Sequence, residues 1–570
     1  MIPGTTRLGA LPLATLPAAL DASTPDLFKD LVAGLASAAQ LVFLVEAMPY
    51  DPDLARQVNG LPAPLGVLPL GAGPRFAVIG SETKVRASDK GFVSGAADDP
   101  AHTAFPARIE APLEFSATLF DGPEPLGRAS TQFGELALAN GDAVLDPWLA
   151  YHWEGRAITV KAGLKGWTLA QFGVVLEAEA GPPEWDEEEL RLPLRDRGAR
   201  LERPVQQNAY IGTGGLEGAA DLAGQPKPLA FGRVLNARPQ LLDAGLLIYQ
   251  IHDGQVQDID AVRDKGIALT DAGDLALAAI LDPTTVVAGG SFASNLANGL
   301  IRLGATPAGQ VTADLRGDVS DGVHAATAAA IAQHIVTRRL GGASLDTASQ
   351  VDGGAFNDLA RLQPAGLGLF VDGDGPSAAA VLDRLLGSIG AAWSSNREGF
   401  LTVRRLEAPG APVAALGRPE IGRITRLETA APSWRRRVAY RPVWTVQRDE
   451  DLAAAAPDAV RELVGQAARL AEEIDGGVLG ANRLARDVAL AALYELEADA
   501  RAEALRALAL HGPRRDSYEL DLAKARFAPL LGLSVRISYP RFGLDAGRDF
   551  VVIGEQQGLL SDRKTLTVWG

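Results

Sequence analysis

Residues Arg203–Gly254 read RPVQQNAYIGTGGLEGAADLAGQPKPLAFGRVLNARPQLLDAGLLIYQIHDG, and this stretch is the most informative part of the chain. Four glycines lie between Gly212 and Gly218, and an apolar run follows over Leu246–Ile251. The glycine spacing differs by one position from that of a dinucleotide-binding loop, and the lysine of a Walker motif is missing. We therefore predict a turn with positive φ angles, followed by a β-strand at Leu246–Ile251.

Alternation of apolar and polar residues on both sides of this stretch predicts many more strands, in sheets with one solvated face. Before about Pro112 the chain is rich in Gly, Pro and short apolar runs, which indicates short strands and long connections. The clearer predicted strands lie near Phe115–Phe120, Ile158–Val160, Leu190–Leu194, Leu401–Val403, Val438–Tyr440, Val535–Tyr539, Phe550–Ile553 and Leu566–Val568.

Apolar residues at helical spacing predict four helices in the second half of the chain. The first spans His324–Leu340, and the second opens at Pro376, with Asp374 as its N-terminal cap. The third spans Val460–Ile474. The fourth is a long amphipathic helix that includes Ala489–Leu508 and ends near His511 and Gly512.

These patterns predict an α+β protein of several domains, with antiparallel sheets, smaller helix-and-strand units and the long helix near the C-terminus. Repeats of fixed period are absent from the sequence, which argues against a solenoid or propeller. The predicted segments are an N-terminal β-rich docking region (1–112), a second β-rich segment (113–270), a linker with a helix (271–345), an α/β unit (346–447), and a helical hairpin followed by a small β domain (448–570).

Composition excludes several classes of function. The 570 residues are 47% hydrophobic and 22% charged, which suits large folded cores. Cysteine is absent, so disulfides, thiolate zinc sites and cysteine nucleophiles are excluded. The net charge of −16 has the wrong sign for stable binding to nucleic acid, although an acidic lining would let DNA slide past.

Targeting and membrane segments are not predicted. The apolar run from Leu8 to Leu20 is interrupted by Pro12 and Pro17, and no basic cluster precedes it. The apolar run from Leu31 to Val45 is too short to span a bilayer.

The sequence contains no convincing catalytic, cofactor-binding or metal site, and we predict that the protein is not an enzyme. None of its histidines (His102, His152, His252, His324, His334 and His511) is paired at the spacing of a helical metal site. Ser81 and Lys84 fit the S-x-x-K pattern of penicillin-binding enzymes, but the companion motifs are missing. The aromatic residues are 6% of the chain and scattered, so they suggest no carbohydrate platform.

Three charged runs also have ordinary explanations. Glu184–Glu189 is predicted to be a solvated turn or strand rather than a glycosidase pair, because consecutive acids in a strand point to opposite faces. Asp372–Gly375 lacks the remaining ligands of a calcium loop. Arg435–Arg437 is either a site for an acidic partner or a solvated turn.

The opening stretch closely resembles a segment of siphophage and prophage tail proteins, in which a similar G-K-P-K-P-L-x-x-G-R-x-x-N sequence precedes a Y-Q-x-H-D-G hairpin. Further resemblances lie at FGELALANGDAVLD (Phe133–Asp146), IRLGATPAGQVTADLRGD (Ile301–Asp318), WRRRVAYRPVWTVQ (Trp434–Gln447) and YPRFGLDAGRDFVVIG (Tyr539–Gly554). The N-terminal part matches only loosely, through LVFLVEAMPYDPD (Leu41–Asp53).

The family that these segments resemble is the central hub of the phage tail tip or baseplate, similar to the hub domains of lambda-like tail-tip proteins. The resemblance implies a homotrimer with tube-like antiparallel β-barrels, one of them in residues 113–270. Such a hub adapts a six-fold tail tube to a three-fold tip around a DNA channel. It also implies contacts with a distal tail protein, the tail tube, the tape measure and other tip or fibre proteins. The implied location is the virion tail tip, after synthesis in the host cytoplasm.

Two alternatives stay open at this point. A tail-associated peptidoglycan hydrolase would show wall-degrading activity, and a receptor-binding tail protein would bind host cells. The same hub would serve an infectious phage, a prophage remnant or a gene transfer agent, which the sequence does not distinguish.

Overall fold

The computed structural model describes residues 41–55, 79–110, 113–120, 129–320, 322–373, 375–523, 530–558 and 564–570. It is a mixed α+β fold of several sheets with one nearly closed barrel, which confirms the predicted class. The Leu8–Leu20 run and the predicted cap Asp374 lie outside the described residues.

The first part of the chain is built around one large antiparallel sheet. Its strand order is β12-β13-β11-β10-β1-β4, and β9 also pairs with β13. Two pairs, β2-β3 and β5-β6, stand beside it, while β7 and β8 pair with each other and join a later sheet. The strands are β1 Leu41–Ala47, β2 Tyr50–Ala55, β3 Ile79–Glu82, β4 Val85–Ser88, β5 Phe92–Val93, β6 Ala104–Phe105, β7 Glu114–Thr118, β8 Ser130–Phe133, β9 Glu135–Ala139, β10 Ala157–Leu164, β11 Gly173–Ala180, β12 Glu184–Trp185 and β13 Glu189–Arg195.

The middle part contains two sheets and three helices. One sheet has the order β18-β17-β22-β14-β24 with β23 on β22, and the other has the order β15-β16-β21-β20-β19. The strands are β14 Leu229–Ala237, β15 Gln240–Asp243, β16 Ile248–Gln250, β17 Val256–Asp264, β18 Ile267–Ala268, β19 Thr270–Asp274, β20 Ser291–Asn295, β21 Leu300–Leu303, β22 Val311–Ser320, β23 Val323–His324 and β24 Gly368–Val371. The helices are α1 Leu277–Leu281, α2 Ala328–Arg338 and α3 Gly353–Leu362.

The last part contains a pair of strands, a three-stranded sheet and a large sheet. These are β25-β26, then β30-β29-β31, then β27-β33-β34-β35-β32-β28 with β7 attached to β34. The helices are α4 Ala378–Gly387, α5 Asp458–Val464, α6 Gly476–Ala481 and α7 Glu497–His511. The strands are β25 Ala391–Ser395, β26 Leu401–Arg405, β27 Ala414–Leu416, β28 Ile421–Leu427, β29 Ser433–Tyr440, β30 Arg469–Ile474, β31 Arg486–Tyr494, β32 Ser517–Leu522, β33 Ser534–Tyr539, β34 Leu544–Gly558 and β35 Lys564–Trp569.

Two of the predicted helices have the expected positions, with caps that the sequence analysis did not assign. The Thr327 hydroxyl accepts a hydrogen bond from the N–H of Ala330 at the start of α2. The Ser377 hydroxyl does the same for Ala380 at the start of α4. A hydroxyl at this position satisfies an N–H that has no partner within the helix.

The predicted helix over Val460–Ile474 is wrong in its second half. Helix α5 ends at Val464 because Gly465 follows as its C-terminal cap, and residues 469–474 form strand β30. Leu470 and Ile474 are four residues apart, so they would share one face of a helix. Because this spacing is even, they would also share one face of a strand. Hydrogen bonding to β29 along the full length of β30 decides between the two patterns.

The predicted long helix over Ala489–Leu508 also begins too early. Residues 486–494 form β31, which pairs in parallel with β29, and α7 starts only at Glu497. Glu497 and Asp499 lie in the first turn of α7, where the helix dipole favours acids. The predicted end near His511 and Gly512 agrees with the structure.

Strand pairing connects segments that are far apart in the chain. Strand β1 pairs with β10 over its whole length, from Leu41↔Leu164 to Ala47↔Ile158. Strand β7 pairs with β34, with Thr118 opposite Gly554. Both pairings join strands that belong to different predicted segments. The segment boundaries stay predictions.

Candidate functional site

Three of the segments that resemble tail proteins meet in the interior of the middle part. The opening stretch supplies Asn236 on β14 and His252 in the turn between β16 and β17. The Ile301–Asp318 segment supplies Asp314 and Asp318 on β22, and the Trp434–Gln447 segment supplies Gln447. Strand β14 lies directly beside β22, which also pairs with β17. This arrangement gathers the polar residues of all three segments in two buried clusters.

The first cluster, called the central joint here, consists of His252, Asp318, His334 and Arg339. Its residues come from the β16–β17 turn, the end of β22, α2 and the residue after α2. The side chains of His252 and Asp318 are 0% and 1% exposed. The joint therefore ties two sheets to a helix around a carboxylate and an imidazole that are almost completely removed from water, while His334 and Arg339 are 10% and 18% exposed.

Asp318 Oδ2 is the centre of the joint. It lies 3.5 Å from His252 Nε2, 3.3 Å from His334 Nε2 and 3.0 Å from Arg339 Nε. Arg339 also donates through Nη1 to the carbonyl of Asp253 at 3.0 Å. One carboxylate thus receives donors from two elements beyond its own strand, an arrangement that suits a fixed structural contact.

Burial alone raises the pKa of Asp318, but the hydrogen bonds from His252 and His334 and the charge of Arg339 outweigh it. The pKa of Asp318 lies well below its usual range. Burial lowers the pKa of His252 and outweighs the contact with Asp318, which raises it, and Arg339 lowers the pKa further. At neutral pH the joint therefore contains a carboxylate, a guanidinium and a neutral His252.

The hydrogen bond from the N–H of Ala230 to His252 Nδ1, at 2.9 Å, fixes the tautomer of this ring. An N–H donor requires a lone pair on Nδ1, so the ring proton is on Nε2 and points toward Asp318. Neither ring nitrogen then offers a lone pair to a metal ion. Among the described residues no group of three or more His, Asp or Glu side chains is placed to hold a metal ion.

The second cluster, called the Asn236 joint here, consists of Asn236, Arg263, Asp314 and Gln447. The N–H of Asn236 donates to Asp314 Oδ1 at 2.8 Å, and Asp314 receives both Nη atoms of Arg263 at 2.7 and 2.6 Å. The Asn236 amide donates to the carbonyl of Thr445 at 2.6 Å and to Gln447 Oε1 at 3.1 Å. All four joint residues are buried.

Asn236 has a φ of +51°, which asparagine tolerates better than most residues. Next to it, the N–H of Trp444 donates to the carbonyl of Leu235 at 3.1 Å. The WTVQ part of the fourth resembling segment is thereby held against β14. The segments Phe133–Asp146 and Tyr539–Gly554 lie in the first and last sheets, away from both joints.

A small cavity of about 300 Å³ lies on the side of β14 that carries Arg233. It is lined by Arg233, Asp260, Arg316, His324, Ala326 and Glu495. Arg233 Nη1 contacts Glu495 Oε1 at 2.8 Å, and Arg316 Nε contacts Asp260 Oδ1 at 3.0 Å. The two arginines of this cavity thus form ion pairs with the carboxylates that also line it. These ion pairs link β14, β22 and the end of β31.

The residues that the sequence analysis weighed as chemical candidates lie apart from the joints. Lys84 Nζ is 3.8 Å from Glu46 Oε1. Gly212, Gly214, Gly215 and Gly218 all have positive φ, as the predicted turn requires. Asp186 Oδ1 accepts the N–H groups of Glu188 and Glu189, both at 2.8 Å, so the acidic run forms the hairpin turn between β12 and β13.

The Arg435–Arg437 run is not a turn but part of strand β29, and the alternation of the strand splits it between two faces. Arg435 and Arg437 contact Asp487 at 3.6 and 3.1 Å, and Arg435 also contacts Glu472 at 3.0 Å. Arg436 is buried and donates to the Ser433 hydroxyl at 2.9 Å. Burial lowers the pKa of Arg436 to about 10.

The expectation that aromatic residues are scattered is corrected for one segment. The rings of Trp148, Tyr151 and Trp153 lie 5.9 to 6.5 Å from each other. Trp153 is 1% exposed, and the other two rings pack against the core of the first sheet. This cluster therefore closes a hydrophobic core.

The central joint is not visible as a sequence motif because His252 and Arg339 are 87 positions apart. Short motifs detect ligands or catalytic residues at fixed local spacing, and here the partners come from a turn, a strand end and a helix end. The available signal was the HDG sequence inside the resembling stretch, which placed His252 in a turn next to β14.

No protein-family model matches the chain, and no curated protein matches it. Among solved structures, the chain is similar to the tail protein from Neisseria meningitidis MC58, at 11% identity and a TM-score of 0.34, covering 81% of this chain and 95% of that one. It is also similar to the 43 kDa tail protein of prophage MuSo2 from Shewanella oneidensis, at 11% identity and a TM-score of 0.35, covering 82% and 94%.

A third similar structure is a chain from the virion of a native gene transfer agent particle, at 14% identity and a TM-score of 0.37, covering 65% of this chain and 91% of that one. Within the described residues, no helix has both the length and the apolar character needed to cross a membrane.

Proposed function

We propose that this chain is a structural hub of a phage-type tail tip or baseplate. In this proposal it assembles as a homotrimer, adapts the six-fold tail tube to a three-fold tip and contributes to the channel through which DNA leaves. Its neighbours are a distal tail protein, the tail tube, the tape measure and other tip or fibre proteins. It is made in the host cytoplasm and is located in the virion.

The observation that carries the proposal is that the resembling segments supply most of the residues in the two buried joints. Those residues are Asn236, His252, Asp314, Asp318 and Gln447. Asp318 and Asp314 are each bound to an arginine, and their exposure is below 10%. A catalytic carboxylate must reach substrate, whereas these carboxylates hold strands and a helix together. The polar residues of the resembling segments therefore support a rigid structural protein that transmits force between tail components.

The net charge supports the role in DNA passage. An excess of 16 acidic charges repels phosphate, so DNA would move along such a surface without stable contacts. The segments 113–270 and 346–447 stay our proposal for the barrel and the α/β unit of the hub.

The direct test is the position of the chain in an assembled particle. Tails purified from a producing host are labelled with an antibody against this chain and imaged by electron microscopy. We expect label at the distal end of the tail, and tails without tips when the gene is deleted. Label elsewhere, or normal tips after deletion, contradicts the proposal.

Two activity measurements separate the alternatives. A zymogram on peptidoglycan detects wall hydrolysis, and a pull-down on host cells detects receptor binding. The hub proposal expects neither activity from the purified chain. Wall hydrolysis that survives further purification would favour the hydrolase alternative instead.

A further inference from the structure

The three-stranded sheet β30-β29-β31 has one covered and one uncovered face. Helix α7 packs against β29 and β30, where Val438 and Ala471 are buried with Ala500 and Ala504. Glu473 points the same way, because Arg501 Nε on α7 lies 3.6 Å from its Oε1. The residues of β30 that alternate with Ala471 and Glu473 therefore point away from the helix.

We call this second side the outer face and define it by Arg435, Arg437, Leu470, Glu472, Ile474 and Asp487. Leu470 and Ile474 are 53% and 52% exposed, on a strand where burial would be expected for such side chains. Leu484 is 84% exposed in the turn before β31, at the same end of the sheet as Ile474. Strand β30 thus carries two exposed apolar side chains, and Leu484 adds a third at the Ile474 end of the sheet.

Strand β30 is also an edge strand. Among the described strands only β29 pairs with it. An edge with two exposed β-branched or leucine side chains readily pairs with another chain, and proteins usually cover or charge such an edge. Glu472 lies between Leu470 and Ile474, but it is already engaged by Arg435.

We infer that the outer face, with the edge of β30, is a contact surface for a second copy of this chain. The inference rests on the proposed assembly of the hub, since it assigns the surface through which copies meet. It does not depend on which tail component the assembled hub then contacts.

The charges of the outer face favour a copy over a strongly charged partner. Arg435 and Arg437 are balanced by Glu472 and Asp487, within ion-pair distances of 3.0 to 3.6 Å. The face is therefore neutral and alternates in sign, whereas the chain as a whole has a net charge of −16. Two copies repel each other overall, so their contact requires a face without excess negative charge, and the outer face meets that condition.

The test measures the mass of the purified full-length chain by light scattering over a range of concentrations. The single chain has a mass of 59.6 kDa. We expect the wild type to form a multiple of this mass, and Leu470→Glu and Ile474→Glu to shift it to the single chain. Each variant buries a carboxylate without a partner in the contact, so self-association weakens on the order of 100-fold.

The matched control is Leu505→Glu, which makes the same change at a 58% exposed leucine of α7, outside the outer face. It should keep the mass of the wild type. Circular dichroism confirms that all three variants are folded, and Ile474→Val serves as a second, conservative variant that should still assemble.

Three results overturn the inference: a wild type that is a single chain at every concentration, folded Leu470→Glu and Ile474→Glu variants that keep the wild-type mass, or a control that dissociates equally. In the first case a different tail protein would cover the face. A wild type that stays a single chain would also contradict the proposed homotrimer, whereas the other two results leave the homotrimer intact. None of the three results moves the label from the tail tip, so the failure of this inference is distinguishable from the failure of the proposed location in the tail.

Discussion

The central joint and the outer face both contain arginines in contact with carboxylates, yet they differ in burial and in consequence. The Asp318 side chain is 1% exposed, whereas Glu472 and Asp487 are 44% and 31% exposed. In the joint, donors from His252, His334 and Arg339 surround Asp318 Oδ2. On the outer face, water screens each pair, so the same chemistry adds little to stability and mainly sets the charge pattern offered to a partner.

The largest loss of stability is expected when the carboxylate of Asp318 is removed. Asp318→Asn leaves Arg339 without its partner, and we expect a loss of roughly 3–5 kcal/mol of stability in the middle part of the chain, as for other broken buried pairs. Urea unfolding, followed by hydrogen exchange of β14 and β22, measures the loss. The control is Asp487→Asn on the outer face, and equal losses in both variants would show that burial does not separate the two regions.

The Asn236 joint extends the comparison to a neutral buried group. Asn236→Ala removes the hydrogen bonds to Thr445 and Gln447 and places alanine at positive φ. We expect a loss of about 2 kcal/mol. Asn208→Ala is the control, since Asn208 is exposed and donates to Asp253 Oδ2 at 2.8 Å. A loss no larger than in this control would contradict the structural role of Asn236.

Acid should weaken the interior before it changes the outer face. Burial lowers the pKa of His252, and it lowers the pKa of His511 to about 2 with help from Arg436 and Arg506. Below the unfolded pKa of about 6.5, the unfolded chain binds protons that the folded chain does not. Stability therefore falls as the pH falls, by at most about 1.4 kcal/mol per pH unit for each histidine.

The measurement is the urea midpoint between pH 7 and pH 5 for the wild type and for His252→Gln. The variant is less stable throughout, but its midpoint should depend less steeply on pH. Parallel curves would mean that His252 takes up its proton equally in the folded and unfolded states.

The smallest effect is expected on the outer face. Glu472→Gln removes a screened contact with Arg435, and the urea midpoint should stay that of the wild type. A clear shift would show that the outer face is already part of a buried contact in the purified chain. The same variant in light scattering would then report directly on the contact between copies.

The fold class and many of the strands were predictable from sequence because alternation and turns are local. Ile158 and Val160 in β10, and Leu190 to Leu194 in β13, form strands with the predicted alternation. The start of α4 was predicted because Pro376 fixes the entry to a helix. Its cap was not, since both Asp374 and Ser377 are capping residues and only the backbone path selects Ser377.

The regions 460–474 and 489–508 show where local patterns fail. Both contain alanine and leucine at spacings that satisfy a helix as well as a strand. Strand β29 supplies hydrogen-bond partners on both of its edges, to β30 and to β31, and these partners come from elsewhere in the chain. Tertiary pairing therefore outweighs the helix propensity of alanine.

By itself, the sequence determined the α+β class, the positive-φ turn at Gly212–Gly218, the absence of cysteine chemistry and the resemblance of several segments to tail hubs. Only the tertiary structure decided that His252, Asp318, His334 and Arg339 share one buried centre, and that Arg435–Arg437 divides between two faces. The physical reason is that propensity and periodicity act over a few residues, whereas a buried charge is stable only where distant elements bring donors to it.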